Sequence, residues 1–172
     1  ALSKTVTYDF SGKVAIVTGG TRGLGRKIAQ RLADSGCKVA VCGRNAPDDL
    51  PQAITFHQAD IRDPDQARAL VDAVVAAHGR IDILVNNAGG SPASGVATAS
   101  PRFIDAILKL NLVGPLYMAQ AAYPHMVAQK GGSIINIASV SGARPSPGTS
   151  VYGMAKAGLL NLTQSLAQEW GG

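Results

Sequence analysis

The apolar residues of this chain of 172 residues fall into short runs separated by helical patterns, and this arrangement restricts the fold more than any other property of the sequence. Four runs are rich in β-branched residues without strict alternation: Val14–Val17, Val39–Cys42, Ile83–Val85 and Ile134–Ile137. Such runs are typical of parallel strands buried on both faces. A fifth, Ala53–Ala59, mixes apolar and polar residues, as expected nearer a sheet edge. The sequence therefore predicts an α/β fold with a doubly wound parallel sheet.

Boundary signals place the helices between these strands. After the third strand, Asp63 is a candidate N-cap, Pro64 suits the first turn, Gln66 sits at the capping-box position and Gly79 can end the helix. Its apolar stripe consists of Leu70, Val71, Val74 and Val75. A long helical pattern runs from about Arg102 to Gln129, with a kink expected at Gly114-Pro115, and a last helix runs from about Ser150 to Trp170.

We expect a single domain over residues 1–172, with residues 1–12 as an N-terminal extension. Gly171-Gly172 has the composition of a helix C-cap leading into a further strand, and no such strand follows. The sheet is therefore expected to be incomplete at its C-terminal edge. An exposed apolar sheet edge of this kind is prone to aggregation.

Composition excludes several classes of protein. With 46% hydrophobic and 16% charged residues, the chain is expected to be globular rather than disordered. The net charge of +5 comes from basic residues spread singly, with few aromatic side chains for stacking, which favours a small anionic ligand over nucleic acid. No apolar run approaches the roughly 20 residues of a membrane helix, and the first residues show no signal sequence, so we expect no membrane partner and a cytoplasmic location.

Neither the cysteines nor the histidines suggest a special site. Cys37 and Cys42 are an odd number of residues apart across a strand, so they point to opposite faces and are expected to stay reduced. His57, His78 and His125 lack metal-ligand spacing. We expect no metal.

A glycine-rich turn follows the first strand: Thr18-Gly19-Gly20-Thr21-Arg22-Gly23-Leu24-Gly25. Glycines between a strand and a helix let backbone N–H groups approach a pyrophosphate, whose charge the helix N-terminus favours. The spacing is G-x-x-x-G-x-G rather than the commoner G-x-G-x-x-G, and glycine-rich turns also occur without a ligand. Because the turn lies between a buried strand and a helix, it predicts a nucleotide-binding site.

The end of the second strand bears on which dinucleotide is bound. An acidic residue there would favour NAD(H), but the sequence reads Cys42-Gly43-Arg44-Asn45. Arg44, helped by Arg22, could pair with a 2′-phosphate, so we predict NADP(H) rather than NAD(H). The alternative is that both are solvated surface arginines, and the nearby Asp48 and Asp49 weaken the prediction.

Three further residues suggest acid–base chemistry. Tyr152 and Lys156, four apart at the start of the last helix, share one face of it. A nearby ammonium stabilises a phenolate and makes proton transfer near neutral pH feasible. Ser139 closes the strand from Ile134 to Ala138, which presents its hydroxyl at the carboxyl edge of the sheet. The alternative for the Tyr-x-x-x-Lys pair is an ordinary solvated helix face.

Together these motifs resemble the short-chain dehydrogenase/reductase family from about Lys13 to Trp170. The residues that carry the resemblance are Thr18-Gly19 with Gly23 and Gly25, Asp60, Asn86-Asn87-Ala88-Gly89, Asn111, Ser139, and Tyr152 with Lys156. The resemblance implies a Rossmann-type fold, so that residues 1–172 form one dinucleotide-binding domain. It also implies hydride transfer between a nicotinamide cofactor, which Arg44 predicts to be NADP(H), and a small carbonyl or alcohol substrate. It also implies a homodimer or homotetramer formed through the long helices.

The resemblance further assigns roles to individual residues. Tyr152 is the implied acid or base, Ser139 holds the substrate oxygen, Asn111 supports a proton-relay water, and Lys156 assists Tyr152 and binds the nicotinamide ribose. The implied cofactor contacts elsewhere are Asp60 and Ile61 at the adenine, and Asn87, Ala88 and Gly89 along the fourth strand. The segments that family members carry after the last helix, including one wall of the substrate pocket, are missing from this sequence.

Two other functions are compatible with parts of the sequence. One is a non-catalytic NADP-binding module or subunit that is naturally truncated, whose sheet a partner would complete. The other is an unrelated Rossmann-like protein of the nucleotide-binding methyltransferase type, against which the ordered Ser139, Tyr152 and Lys156 argue.

Overall fold

A computed structural model describes residues 7–171 and contains one five-stranded sheet in the order β3-β2-β1-β4-β5, with every neighbouring pair parallel. The strands are β1 (Val14–Thr18), β2 (Lys38–Gly43), β3 (Ile54–Gln58), β4 (Ile83–Asn86) and β5 (Ser133–Asn136). The predicted α/β architecture is confirmed, and the weaker predicted strand is the edge strand β3. Residues 1–6 of the predicted N-terminal extension, and Gly172, lie outside the described residues.

Strand order and register determine where a ligand can bind. Sheet order reverses between β1 and β4, the position where ligands of doubly wound sheets bind. Thr18 lies opposite Cys42, and Asn86 opposite Asn136, so the carboxyl ends of these strands meet at one edge of the sheet. This edge also carries the glycine-rich turn.

The helices agree closely with their boundary signals. They are α1 (Gly23–Asp34), α2 (Pro64–His78), α3 (Pro101–Leu108), α4 (Gly114–Ala128) and α5 (Ser150–Trp170). Asp63 caps α2 by accepting hydrogen bonds from the N–H groups of Asp65 and Gln66, and Gly79 ends it with φ of 76°. Gln66 departs from the capping-box prediction, because its Oε1 accepts from the N–H of Asp60 at 2.9 Å. The cap thereby also fixes the segment that follows β3.

The irregularity of the long helix lies one turn before the predicted kink. A π-helical segment, Lys109–Val113, joins α3 to α4, while Gly114 and Pro115 are the first residues of α4. Pro115 has no N–H to donate to the oxygen of Asn111, so the regular hydrogen-bond ladder is broken in the preceding turn. The distortion thus falls on the segment that contains Asn111.

The core has one layer on each face of the sheet. Ile16 and Leu84 belong to the layer that includes residues of α2 and α4, whereas Val17 and Val41 pack in the layer beneath α1. Cys37 and Cys42 lie in different layers and are both free, as predicted from their odd spacing. Within residues 7–171, no helix combines the length and apolarity required to cross a membrane.

The β5 edge of the sheet is open in the described part of the chain, where β5 pairs only with β4. Ile135 on this strand is 47% exposed. Tyr123 of α4 stacks on Trp170 of α5, with ring centroids 4.1 Å apart, and the pair lines a pocket together with Ile134 and Asn136 of β5.

Candidate active site

The turn between β1 and α1 presents unsatisfied backbone donors at the carboxyl edge. Gly19 and Gly23 have φ angles of 63° and 57°, a backbone conformation that residues other than glycine rarely adopt. Arg22, the N-cap of α1, is extended and makes no side-chain cap, and the first turn of α1 contains no acidic residue. The first N–H groups of α1 are therefore free to bind an anion.

Close packing at Gly25 shapes this turn. A Cβ atom at Gly25 would lie 2.3 Å from the Nδ2 of Asn87 and 2.5 Å from the backbone oxygen of Gly19. Neither distance is compatible with a side chain at this position. Glycine is thus needed here for the approach of α1 to the end of β4.

Thr18 and Asn87 tie the end of β1 to the segment after β4. The buried Thr18 hydroxyl oxygen accepts hydrogen bonds from the N–H groups of Asn87 and Ala88, each at 3.0 Å. The side-chain Nδ2 of Asn87 in turn donates hydrogen bonds to the backbone oxygens of Thr18 and Gly19. Thr18, predicted from the sequence as a cofactor contact, has its side chain fully enclosed in this brace.

A cleft of about 800 Å³ runs along this edge and contains most of the residues predicted to bind the cofactor. Those that line it are Gly19, Thr21, Arg22, Gly23, Leu24, Gly25, Arg44, Asp60, Ile61, Asn87, Ala88 and Gly89. Leu24 is 61% exposed there. Ile61 also lines the cleft but is only 3% exposed, because its side chain packs into the core near Gly114. Thr18, Tyr152 and Lys156 are not among the lining residues.

Some charged side chains around this cleft form ion pairs with a neighbour, and others do not. Arg62 forms hydrogen bonds through its Nε with both carboxylate oxygens of Asp60, at 2.9 and 3.0 Å. These bonds hold the pKa of Asp60 below its ordinary value. Among the described residues, Arg22 and Arg44 are exposed and have no acidic partner within salt-bridge distance.

The sequence reasoning did not identify Arg62 or Arg26, although both contact acidic residues of the cleft wall. Arg62 is only two residues from Asp60, a spacing that could have suggested the pair. Arg26 binds Asp49 from another element, 23 residues away. No local signal in the sequence indicates this second contact.

Lys156 lies within the protein beside Tyr152. It is 3% exposed, and its Nζ donates a 2.7 Å hydrogen bond to the backbone oxygen of Ile137, just beyond β5. The same Nζ lies 5.7 Å from the centroid of the Tyr152 ring. Burial lowers the pKa of Lys156. The Tyr-x-x-x-Lys pair is therefore built into the carboxyl edge of the sheet and is not a solvated helix face.

Ser139 reaches this region through a tight turn packed on α5. Its hydroxyl oxygen accepts from the N–H of Ser141 at 3.2 Å, while its own proton is donated to no other described residue. In the turn Val140–Gly142, a Cβ at Gly142 would lie 2.7 Å from the backbone carbon of Lys156. The turn is thus pressed against α5, and the hydroxyl of Ser139 is left as a donor for a ligand.

Asn111 connects the π-helical segment to the loop after β4. Its Oδ1 accepts from the N–H of Gly90 at 2.8 Å, and its Nδ2 donates to the oxygen of Gly90 at 2.9 Å. A Cβ atom at Gly89 would lie 2.7 Å from the Oδ1 of Asn111 and 3.4 Å from the Nζ of Lys156. The segment after β4, the π-helical segment and α5 are therefore in close contact at Gly89.

Cys42 also borders the cleft, where burial raises the pKa of its thiol to about 11. The thiol is accordingly neutral near pH 7 and contributes no charge. Within residues 7–171, no three or more His, Cys, Asp or Glu side chains are grouped so that they could hold a metal ion.

Comparison with known proteins identifies the relatives of this chain. The family model described as "short chain dehydrogenase" matches residues 13–172. The chain is 36% identical over 167 residues to the 3-oxoacyl-[acyl-carrier-protein] reductase FabG of Staphylococcus aureus, covering 91% of this chain and 68% of that protein. It is also 36% identical over 170 residues to dehydrogenase/reductase SDR family member 4 of Caenorhabditis elegans, covering 92% and 65%.

Solved structures agree with this relationship. The citronellol catabolism dehydrogenase AtuB of Pseudomonas aeruginosa superposes with a TM-score of 0.88 at 34% identity, over 98% of this chain and 73% of that one. The chain thus spans about two thirds of the length of these relatives. Motifs, sheet order and matched length together show that the chain belongs to the short-chain dehydrogenase/reductase family, an oxidoreductase family.

Proposed function

We propose that this protein transfers a hydride between NADP(H) and a carbonyl or secondary alcohol substrate, with Tyr152 as the general acid or base. The observation that carries the proposal is the position of Lys156, buried beside the Tyr152 ring and held by the oxygen of Ile137. A buried ammonium in this position can stabilise a phenolate and so support proton transfer near neutral pH.

In the proposed reduction, Tyr152 gives its proton to the carbonyl oxygen, and in the reverse direction it removes the proton of the alcohol. Ser139 donates its hydroxyl proton to a hydrogen bond with the same oxygen, since no described protein group takes that proton. Negative charge develops on the oxygen during the reaction, so two hydroxyl donors stabilise the transition state more than the ground state. Asn111, fixed by its two bonds to Gly90, supports the water that relays protons.

The cleft fits a nicotinamide dinucleotide, which supplies or accepts the hydride when bound. The free N–H groups at the start of α1 suit a pyrophosphate, and Gly25 leaves no space for a side chain beneath it. In this proposal Asp60 and Ile61 contact the adenine, and Asn87, Ala88 and Gly89 border the path toward the nicotinamide. Lys156 does not line the cleft, but its Nζ lies next to Gly89, where we propose that it binds the nicotinamide ribose.

The charges at the end of β2 support a preference for NADP(H). Arg44 and Arg22 line the cleft as exposed guanidinium groups without acidic partners among the described residues. A guanidinium binds a phosphate with two parallel hydrogen bonds. Asp49, which would oppose the phosphate, is paired with Arg26, whereas Asp48 has no ion-pair partner among residues 7–171.

The name of the S. aureus relative suggests a substrate class. Because that protein is a 3-oxoacyl-[acyl-carrier-protein] reductase, we propose a small 3-oxoacyl thioester as the first substrate to be tested. The proposal further includes a cytoplasmic location and a homodimer or homotetramer, which fractionation and light scattering would examine.

The decisive experiment is Tyr152→Phe, assayed by NADPH oxidation with a panel of 3-oxoacyl thioesters and simple ketones. Turnover should fall by about 10²–10⁴-fold, while the dissociation constant of NADPH changes little. Retained turnover would contradict the role of Tyr152. Tight NADPH binding without wild-type turnover on any member of the panel would instead favour a non-catalytic cofactor-binding module.

The cofactor preference is tested separately with Arg44→Asp. Removing the guanidinium and adding a carboxylate should weaken NADPH binding. The preference should shift toward NADH, because a carboxylate can accept hydrogen bonds from its ribose hydroxyls. If the ratio of the two dissociation constants is unchanged, Arg44 does not read the 2′-phosphate.

A further inference from the structure

Arg26 makes a two-part contact with the loop that follows β2. It is the fourth residue of α1, and its Nη1 donates a 2.6 Å hydrogen bond to the Oδ1 of Asp49. Its Nη2 donates to the backbone oxygen of the same residue. The guanidinium is therefore held by the loop at two atoms, in a fork geometry that a lysine could not reproduce.

The partner of Arg26 is part of the cleft wall. Asp49 lines the cleft together with Arg22, Arg44 and Asp48. The hydrogen bond and the charge of Arg26 hold the pKa of Asp49 below its ordinary value, so this carboxylate is ionised near neutral pH. An ionised carboxylate thus lies in the same cleft wall as Arg22 and Arg44, the residues to which the proposed function assigns the 2′-phosphate.

Pairing with Arg26 changes the effect of that charge on an anionic ligand. Without the pair, Asp48 and Asp49 would balance Arg22 and Arg44, and a phosphate would meet little net positive charge. With the pair in place, Asp48 is the only carboxylate of the cleft lining without an ion pair among residues 7–171. The local charge then favours a ligand that carries an additional phosphate.

We propose that Arg26 is a positioning residue for cofactor selection: it neutralises Asp49, and the exposed Arg22 and Arg44 then discriminate in favour of the 2′-phosphate. This inference rests on the proposed preference for NADP(H). A purely structural role is the contrasting possibility, since an exposed ion pair can simply fasten a loop and stabilises a protein by roughly 0.2–1 kcal/mol. Loop fastening alone would affect NADPH and NADH alike.

The test compares four variants with the wild type by titrating NADPH and NADH and following cofactor fluorescence. Arg26→Gln should raise the dissociation constant of NADPH by about three- to tenfold and that of NADH by less than about twofold. Asp49→Asn alone should leave NADPH binding unchanged or tighter. The double variant Arg26→Gln with Asp49→Asn should restore NADPH binding to within about twofold of the wild type, because the opposing charge is gone.

Arg31→Gln is the matched control, since Arg31 is an exposed residue in the last turn of the same helix and lies outside the cleft lining. It removes the same charge from α1 and should leave both dissociation constants unchanged. Circular dichroism and urea unfolding would verify that every variant is folded.

The outcomes separate this inference from the function on which it rests. Equal weakening of NADPH and NADH in Arg26→Gln, or no rescue in the double variant, would overturn the role of Arg26 and leave the NADP(H) preference intact. A wild type that binds NADH as tightly as NADPH would overturn both. Loss confined to NADPH, with rescue, would establish the charge mechanism.

Discussion

The Nζ of Lys156 donates a hydrogen bond of 2.7 Å to the backbone oxygen of Ile137, a contact across 19 residues that fastens α5 to the end of β5. Ile137 lies two residues before Ser139, and Tyr152 lies one helical turn before Lys156. This single bond therefore holds both elements of the proposed acid–base site in register. It also keeps the ammonium out of solvent, beside the Tyr152 ring.

We expect Lys156→Met to lower turnover by about 10²–10⁴-fold, because the phenolate of Tyr152 loses the charge that stabilises it. In the wild type, burial lowers the pKa of Lys156, so activity that needs the ammonium should be lost at a lower pH than for an ordinary lysine. Lys27→Met, at an exposed position on α1, is the control. Equal turnover with equal dependence on pH in the two variants would contradict the role of Lys156.

Thr18→Val tests the brace between β1 and the segment after β4. Valine keeps the shape of the side chain but removes the acceptor for the N–H groups of Asn87 and Ala88. The free energy of unfolding should fall by about 1–3 kcal/mol, measured by urea denaturation. Thr7→Val, at an exposed position whose hydroxyl bonds to no other described residue, should cost less than about 0.5 kcal/mol. Comparable losses in the two variants would mean that the brace has no special role.

Gly25→Ala tests the close approach of α1 to the end of β4. The new methyl group would lie 2.5 Å from the backbone oxygen of Gly19, so the turn must shift. We expect destabilisation of about 1–3 kcal/mol together with weaker NADPH binding, measured by urea unfolding and by fluorescence titration. Gly95→Ala, whose methyl group would meet only the Oγ1 of Thr98 at 3.7 Å, should leave both quantities unchanged. Unaltered NADPH binding in Gly25→Ala would contradict the proposed position of the pyrophosphate.

Local patterns were sufficient to predict the elements that build this site. The predicted last helix, Ser150 to Trp170, coincides with α5, because its start and end depend on nearby residues. The buried strands were predicted from β-branched runs for the same reason. The predicted kink was misplaced, because Pro115 marks the missing donor whereas the distortion appears in the preceding turn, at Lys109–Val113.

Contacts between distant segments were not predictable from one sequence. The pairs of Thr18 with Asn87, Arg26 with Asp49 and Lys156 with Ile137 join residues separated by 69, 23 and 19 positions. Each pair depends on how the sheet and helices pack, which no residue spacing records. The sequence therefore identified the residues of the candidate site but not the partners that hold them in place.

At the opposite end of β1 from the cleft, Asp82 fastens the first residues of the sheet. Its carboxylate accepts hydrogen bonds from the N–H of Val14 at 2.9 Å, from the Nε of Arg80 at 2.7 Å and from the Nζ of Lys13 at 3.3 Å. Burial by itself raises the pKa of Asp82, but these bonds outweigh it, so the pKa lies below the ordinary value of 3.8. The folded state therefore binds a proton at Asp82 less readily than the unfolded chain does.

This difference predicts how stability depends on pH. Because the pKa is lowered on folding, the contribution of Asp82 is fully present above the unfolded pKa and is lost as the pH falls through the folded one. Asp82→Asn should lower the free energy of unfolding by about 1–3 kcal/mol near neutral pH, and its difference from the wild type should shrink toward about pH 3. Asp105→Asn, at an exposed position on α3, is the control and should change the free energy of unfolding near neutral pH by less than about 0.5 kcal/mol. Urea unfolding across this range would measure both variants, and a pH-independent difference for Asp82→Asn would show that shape rather than charge explains its effect.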